Sequence, residues 1–293
     1  MAIHCANLGH GIGLRAAHFK ELAERPVPCQ WFEATSENYM GTRGEALAHL
    51  LKFRREVPIV LHGVALGIGN TDPLSRRYLH DLKALIGQVQ PAWVSDHLAW
   101  TGVNGENSHD LLPLPRTQES LRHVCRRVAR VQDSLGRQIL LENPSTYAEF
   151  SGEQIPEWEF LSAVADRADC GILLDINNVY VNAYNHGFDP LTYLNGIDPL
   201  RVGQIHLAGY TECGTHLLDT HAHPVSQPVW DLYQSFSARH PEVSTLIEWD
   251  DKIPPLDSLL AQMHRAQAVQ RGAWRCVSRA TAIMPCPAAS VHL

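Results

Sequence analysis

The sequence predicts a single closed (β/α)8 barrel, and three observations carry that reading. Eight short apolar runs are spread along the chain, amphipathic helical stretches separate them, and no linker-like change in composition intervenes before about residue 270. With 293 residues, 45% of them hydrophobic, the chain can bury one large core. The competing topology is an open doubly wound sheet. It is disfavoured because no G-x-G-x-x-G follows an early strand, and no Walker lysine follows Gly9, Gly11 and Gly13.

The eight runs fall at residues 9–14, 31–34, 59–62, 93–97, 139–143, 171–175, 202–206 and 245–248. Most are continuously apolar, as strands buried on both faces of a parallel sheet must be. The third helix is predicted to open at Asp72-Pro73, an N-cap followed by proline, with Leu74, Tyr78, Leu82, Leu85 and Val89 as its stripe. In the fourth, Leu121, Val124, Val128, Val131 and Leu135 recur at spacings of three and four. Pro228 opens a later helix, and the last starts near Pro255 with Leu256, Leu259, Leu260 and Met263 on one side. The periodicity then fades, so residues 1–272 read as the barrel domain and 273–293 as a C-terminal tail, expected to be disordered.

Charge and cysteine usage narrow the function. A net charge of −7 with scattered Lys and Arg predicts neither a nucleic-acid groove nor a polybasic membrane patch. The apolar runs are too short to span a bilayer, and the first fourteen residues do not resemble a signal peptide. Seven widely spaced cysteines, odd in number and without a C-x-x-C pair, predict buried thiols in a reducing compartment, with two in the tail. A cytoplasmic protein is expected.

Histidine is the unusual count, at 17. Six strands end on a residue able to bind metal: His62, His97, Glu142, Asp175, His206 and Glu248. A closed barrel gathers such positions at its C-terminal mouth. The residues two before them, Val60, Ser95, Leu140, Leu173, Gln204 and Leu246, share the inward face and are mostly apolar. A single histidine at a strand end is more often structural. Three histidines and three carboxylates together are not, because they would repel or stay unpaired unless cations lay between them. Few Arg or Lys flank these motifs, so metal is the expected counter-charge.

The loop after the seventh strand adds Asp219 and His221, with His223 as a weaker candidate beside them. Eight ligands exceed the needs of one catalytic ion and suit two or three bridged by carboxylate. Imidazole and carboxylate without thiolate favour Fe, Mn or Zn, without choosing among them. Asp96 is expected to orient another group, while Asn143, Asn177 and Asn178 are expected either to ligate through their amide oxygens or to cap loops. Glu33, Glu37 and Asn38 are expected to face the same mouth, holding substrate or starting the next helix.

Several blocks carry a resemblance. They include Phe-Glu-Ala-Thr-Ser-Glu-Asn-Tyr-Met (32–40), Leu-His-Gly-Val (61–64), Ser-Asp-His-Leu (95–98) and Glu-Asn-Pro-Ser (142–145). Leu-Leu-Asp-Ile-Asn-Asn-Val-Tyr-Val-Asn (173–182), Asn-His-Gly (185–187), Ile-His-Leu-Ala-Gly (205–209), Asp-Thr-His (219–221) and Leu-Ile-Glu-Trp-Asp-Asp (246–251) follow in order. Over roughly residues 8–270 the chain resembles the multinuclear non-haem iron-dependent oxidases, which include the methanobactin biosynthesis oxidase. The resemblance implies a xylose-isomerase-like TIM barrel holding two or three irons of mixed Fe(II)/Fe(III) state, with dioxygen as co-substrate. It implies a ribosomally made precursor peptide as substrate, modified at cysteine, and a small partner protein that captures the peptide leader. The ligands it implies are His62, His97, Glu142, Asp175, His206, Asp219, His221 and Glu248; of these, Glu142, Asp175 and His206 are expected to be catalytic. Two positions depart from the family: Tyr210 stands where histidine is usual, and Ala222 where aspartate is common. The rival readings are a Zn- or Mn-dependent sugar isomerase or phosphodiester hydrolase on the same barrel, and a non-catalytic metal-binding protein.

Overall fold

The computed structural model describes residues 5–282, with side chains through residue 272. Eight parallel strands close into a barrel: β1 (His10–Gly13), β2 (Trp31–Thr35), β3 (Ile59–Gly63), β4 (Val94–His97), β5 (Leu140–Glu142), β6 (Gly171–Asp175), β7 (Val202–Leu207) and β8 (Ser244–Ile247). Each pairs with its neighbour in sequence, and β8 closes the ring on β1 with His10 opposite Thr245. Each predicted run contains one of these strands or most of it.

The inward positions form layers, as the period-two argument requires. Trp31, Val60, Trp93, Leu140, Leu173 and Leu246 pack together as the dry floor of the barrel. The rings of Trp31 and Trp93 meet edge to face at 5.9 Å. Two residues further along the same strands stand Glu33, His62, Ser95, Glu142, Asp175 and Glu248, all of them buried. A packed floor therefore leaves polar side chains space only toward the C-terminal mouth.

Around the barrel run α1 (Phe19–Glu24), α2 (Glu45–Phe53), α3 (Arg76–Val89), α4 (Gln118–Leu135), α5 (Glu157–Ala168), α6 (Ile176–His186), α7 (Pro190–Gly196), α8 (Gln227–Arg239) and α9 (Leu256–Ala282). The α4 stripe is buried as predicted, and Thr117 caps that helix by accepting from the N–H of Ser120 at 3.2 Å. The cap of α3 differs from expectation. Ser75, not Asp72, accepts from the N–H of Tyr78. Asp72 instead accepts from the N–H of Gly105 at 2.8 Å, and Arg127 binds its carbonyl. Leu74 therefore precedes the helix, and Leu79, Leu82, Leu85 and Val89 form its buried side.

Two further differences concern the ends of the chain and the cysteines. The backbone of α9 continues to Ala282, past the point where the periodicity fades, and the rest of the expected tail lies outside the described residues. Cys29 and Cys170 are buried thiols as predicted, but Cys213 is exposed on a loop, and Cys5 and Cys125 are half-buried. Two antiparallel hairpins were not expected. Trp100–Val103 pairs with Glu106–Leu112, and Thr211–Glu212 with Leu217–Leu218. The first carries Leu111 to the wall of the mouth.

Candidate metal centre

The six predicted strand-end residues and His221 converge on one cavity. His62 and His97 meet Glu142, with their Nε2 atoms 3.1 and 3.3 Å from Glu142 Oε2. On the far side of Glu142, His206 Nδ1 lies 3.4 Å from Glu142 Oε1, 4.0 Å from Asp175 Oδ2 and 2.7 Å from Glu248 Oε2. His221 then links the group to the loop, with Nε2 2.7 Å from Asp219 Oδ1 and 3.8 Å from Asp175 Oδ2.

Local structure explains how each side chain arrives. Asp175 ends β6 and caps α6, where its Oδ1 accepts from the N–H of Asn178 at 2.7 Å, leaving Oδ2 for the cavity. Asn143 ties β5 to β6, accepting from the Asp175 N–H and donating to its carbonyl, both at 2.9 Å. Asn178 donates to Asn143 O, and Asn177 donates to Asp219 Oδ1 at 2.9 Å. His221 has φ of +45°, a conformation costly for a non-glycine residue and common where a functional side chain must be aimed. Gly209 makes that loop possible. A Cβ there would collide with His223 O and sit 2.5 Å from Pro224 O.

Donor chemistry fits a metal. Buried atoms that make no well-aligned hydrogen bond include Glu142 Oε2, Asp175 Oδ2, Asn177 Oδ1, Asn178 Oδ1, His206 Nδ1 and His221 Nε2, although some of them crowd a charged neighbour. Orphaned buried lone pairs cost on the order of 1–3 kcal/mol each, so a cluster of them points to a cation as their partner. Three ligand groups lie close enough to hold ions: His62, His97 and Glu142; Glu142, Asp175, His206 and Glu248; and His221, Glu248 and Asp250.

The electrostatics show the same frustration. Burial works against the charge on Glu142, but His97, His206 and His62 outweigh it and hold the carboxyl well below its usual range. Asp175 goes the other way. Burial raises it well above the usual range against the pull of His221, and Glu142 and Asp219 add to the rise. Burial disfavours charged His206, yet Glu248, Glu33 and Glu142 raise it well above the ordinary histidine value. Burial likewise opposes charge on His221, and Asp219 and Glu248 overcome it. His97 is lowered by burial, which Glu142 only partly offsets. Without metal, protons must serve as the counter-charge.

Several candidates fall elsewhere. Glu37 accepts from the N–H groups of Val64 and Ala65, both at 2.9 Å, and from the Tyr78 hydroxyl at 2.6 Å. It holds the loop after β3. Asp96 caps the same loop, accepting from Leu66 N–H at 3.3 Å and, through its other oxygen, from His97 N–H at 2.8 Å. Burial, with Glu37 adding to it, pushes Asp96 up to about 8. Asn38 is exposed, and neither it nor His223 lines the cavity. Tyr210 is also outside, stacked on Tyr180 at 5.5 Å. Glu33 is buried beneath the mouth, 3.1 Å from His206 Nε2, and does not line the cavity.

Two participants were missed. Asp250 follows Glu248 by two and so shares its direction, a signal the alternation rule could have supplied. Its Oδ2 lies 3.2 Å from His221 Nδ1. Arg15 comes from beyond β1, pairs with Asp250, donates to Trp249 O at 3.1 Å and lies 4.0 Å from Glu248. Too few Arg and Lys flank the motifs in the sequence to neutralise them, and Arg15 is remote from every ligand motif. It balances one carboxylate and leaves the excess.

Comparison with known proteins agrees with this geometry. A family model described as "RiPP precursor modification enzyme MbnB/TglH/ChrH" matches residues 9–271. The chain belongs to that family. A UPF0276 protein of Anaeromyxobacter sp. (strain Fw109-5) is 57% identical over 266 residues, 91% of this chain and 94% of the relative. Another, from Acaryochloris marina (strain MBIC 11017), is 50% identical over 258 residues, 88% and 93% of the two chains. Among solved structures, a D-tagatose 3-epimerase-like protein superposes with a TM-score of 0.58 at 14% identity, covering 93% of this chain and 99% of that one. Endonuclease IV from Thermus thermophilus also gives 0.58, at 17% identity and with 90% and 99% coverage. These last two show the fold alone. The protein is thus a TIM barrel of a RiPP precursor modification family. Among the described residues no helix is long and apolar enough to cross a membrane.

Proposed function

We propose that this chain is a multinuclear non-haem iron- and dioxygen-dependent oxidase that modifies cysteine in a ribosomally synthesised precursor peptide. The observation that carries the reading is the set of buried ligand groups, several with unpartnered lone pairs, converging from the strand ends and one loop. His62, His97 and Glu142 would hold a first ion. Glu142, Asp175, His206 and Glu248 would hold a second, and Asp219 and His221 a third beside Asp175. Iron in these positions supplies redox chemistry with dioxygen and a Lewis acid for a substrate thiolate.

The chain's own residues bind and shield the reacting group. The cavity has a volume of about 320 Å³, room for a cysteine side chain and part of its neighbours. Val64, Leu111 and Pro144 form apolar wall, while Thr35, Ser145 and Thr220 offer hydroxyls to a peptide backbone. Glu142, shared by two ligand groups, would serve as a ligand to both ions. A small partner protein that captures the peptide leader completes the reading, as does a cytoplasmic location, where thiols such as those of Cys29 and Cys170 stay reduced.

The test is anaerobic purification followed by metal analysis and EPR or Mössbauer spectroscopy before and after oxygen. Two or more irons per chain, with spin-coupled signals that change on oxygenation and oxygen uptake on adding a cysteine peptide, are expected. Stoichiometric zinc or manganese with no oxygen response after iron reconstitution would sink the oxidase reading in favour of an isomerase or hydrolase.

A further inference from the structure

We propose that Glu33 is a positioning residue that selects the metal-facing nitrogen of His206, and that Asp250, clamped by Arg15, does the same for His221. The inference rests on reading the cavity as a metal centre, but on neither iron nor dioxygen.

A neutral imidazole offers a metal one lone pair, so its other nitrogen carries a hydrogen that needs an acceptor. His97 and His62 meet this need simply. His97 Nδ1 lies 3.1 Å from Gly63 O, a group that can only accept. His62 Nδ1 lies 2.8 Å from Ser95 Oγ, whose own hydrogen is directed at Leu61 O at 3.4 Å. In their neutral forms both rings would therefore turn the Nε2 lone pair toward Glu142.

His206 is mounted the other way. Its Nδ1 makes no well-aligned hydrogen bond and faces Glu248 at 2.7 Å, Glu142 and Asp175, so Nε2 must carry the hydrogen for metal to bind there. Two groups compete at Nε2: Glu33 Oε2 at 3.1 Å accepts, whereas Gln204 Nε2 at 2.7 Å donates. Gln204 cannot turn its oxygen to the ring, because that oxygen receives the Trp93 indole N–H at 2.5 Å. With Glu33 present, both Gln204 (2.6 Å) and His206 donate to its Oε2. Without it, Gln204 would donate to His206 Nε2 and move the ring hydrogen to Nδ1, where it blocks metal.

At His221 the orienting carboxylate is Asp250, whose Oδ2 is 3.2 Å from Nδ1. His221 Nε2 makes no well-aligned hydrogen bond and faces Asp219 at 2.7 Å and Asp175 at 3.8 Å. Asp250 also lies within reach of an ion shared with His221 Nδ1 and Glu248. The Arg15 guanidinium on Asp250 disfavours that choice, since it would repel a cation there. One pair of histidines is thus backed by neutral acceptors and the other by carboxylates, which makes His206 and His221 the stronger donors.

The experiment titrates zinc(II) into the metal-free full chain labelled with [15N]histidine and reads each ring by long-range 15N–1H correlation. His206→Asn and His221→Asn assign the signals. Coordination through Nε2 is expected for His62, His97 and His221, and through Nδ1 for His206. Glu33→Ala should abolish the His206 coordination shift and weaken zinc at that ion by about 10–100-fold, with the His62 and His97 signals unchanged. Glu33→Gln retains one carbonyl oxygen and should recover part of both, and it carries the test if the alanine variant does not fold. Coordination of His206 through Nε2, or an unchanged His206 signal in both Glu33 variants, overturns the role of Glu33. Coordination of His221 through Nδ1 overturns that of Asp250. Failure of the unmodified chain to bind zinc would overturn the metal reading itself, a separate and recognisable result.

Discussion

Glu142 Oε2 lies 3.1 Å from His62 Nε2 at a point where both side chains are almost wholly buried. Its other oxygen faces His206, so this one carboxylate belongs to two ligand groups at once. Its loss should therefore differ in kind from the loss of a terminal ligand. Glu142→Ala is expected to lower bound metal by more than one equivalent per chain, whereas His97→Ala should lower it by about one. Equilibrium dialysis with elemental analysis distinguishes them, and equal losses would mean that the two groups are not bridged.

The metal-free protein should respond to pH in a definite direction. Burial disfavours charge on His62, but Glu142 and Glu33 outweigh it and hold the ring up at about 9. A histidine raised in the folded state contributes stability that is full below its unfolded value of about 6.5 and lost as pH climbs through the folded value. Between about pH 6.5 and 9 the metal-free protein should therefore lose Tm from this pair. Metal needs the neutral ring, so its affinity should rise over the same interval. Melting curves with and without zinc should diverge as pH rises. Parallel curves would contradict the assignment of His62 as a ligand.

The turn after β7 is a third point of attack. Gly209→Ala would press a methyl group against the backbone of His223 and Pro224, neither of which can rotate away. A cost of about 1–3 kcal/mol is expected in denaturant unfolding of the metal-free chain. Because the displaced segment carries Asp219 and His221, metal bound by those two residues should weaken more than metal at His62 and His97. Uniform weakening would indicate a general loss of fold.

The barrel was legible because its signal is local. Continuous apolar runs, ended by His62, His97, Glu142, Asp175, His206 or Glu248, mark buried strands and their mouth ends, and period-two alternation identifies the floor beneath them. The helix stripes were equally plain. The α3 cap was not, since Asp72-Pro73 and Ser75 are both good N-caps on paper. Asp72 is drawn off by Gly105, a contact 33 residues away that no local pattern contains. Asp219 and His221 were readable as a pair two apart, whereas His223 beside them looks the same in sequence and stays out of the cavity.

By itself, the sequence determined the closed barrel, the inward face of each strand and the chemistry available at the mouth, because these follow from periodicity and residue type along single elements. Only the tertiary structure decided which polar groups meet. Arg15 reaches Asp250 across 235 residues, and Glu33 reaches His206 across 173. Such pairings depend on barrel closure and on the height of each side chain above the floor. For the same reason Glu33 orients a histidine while Glu37, just beyond the end of the same strand, holds a loop. A strand end states what a residue can do, and the neighbours brought by the other strands decide what it does.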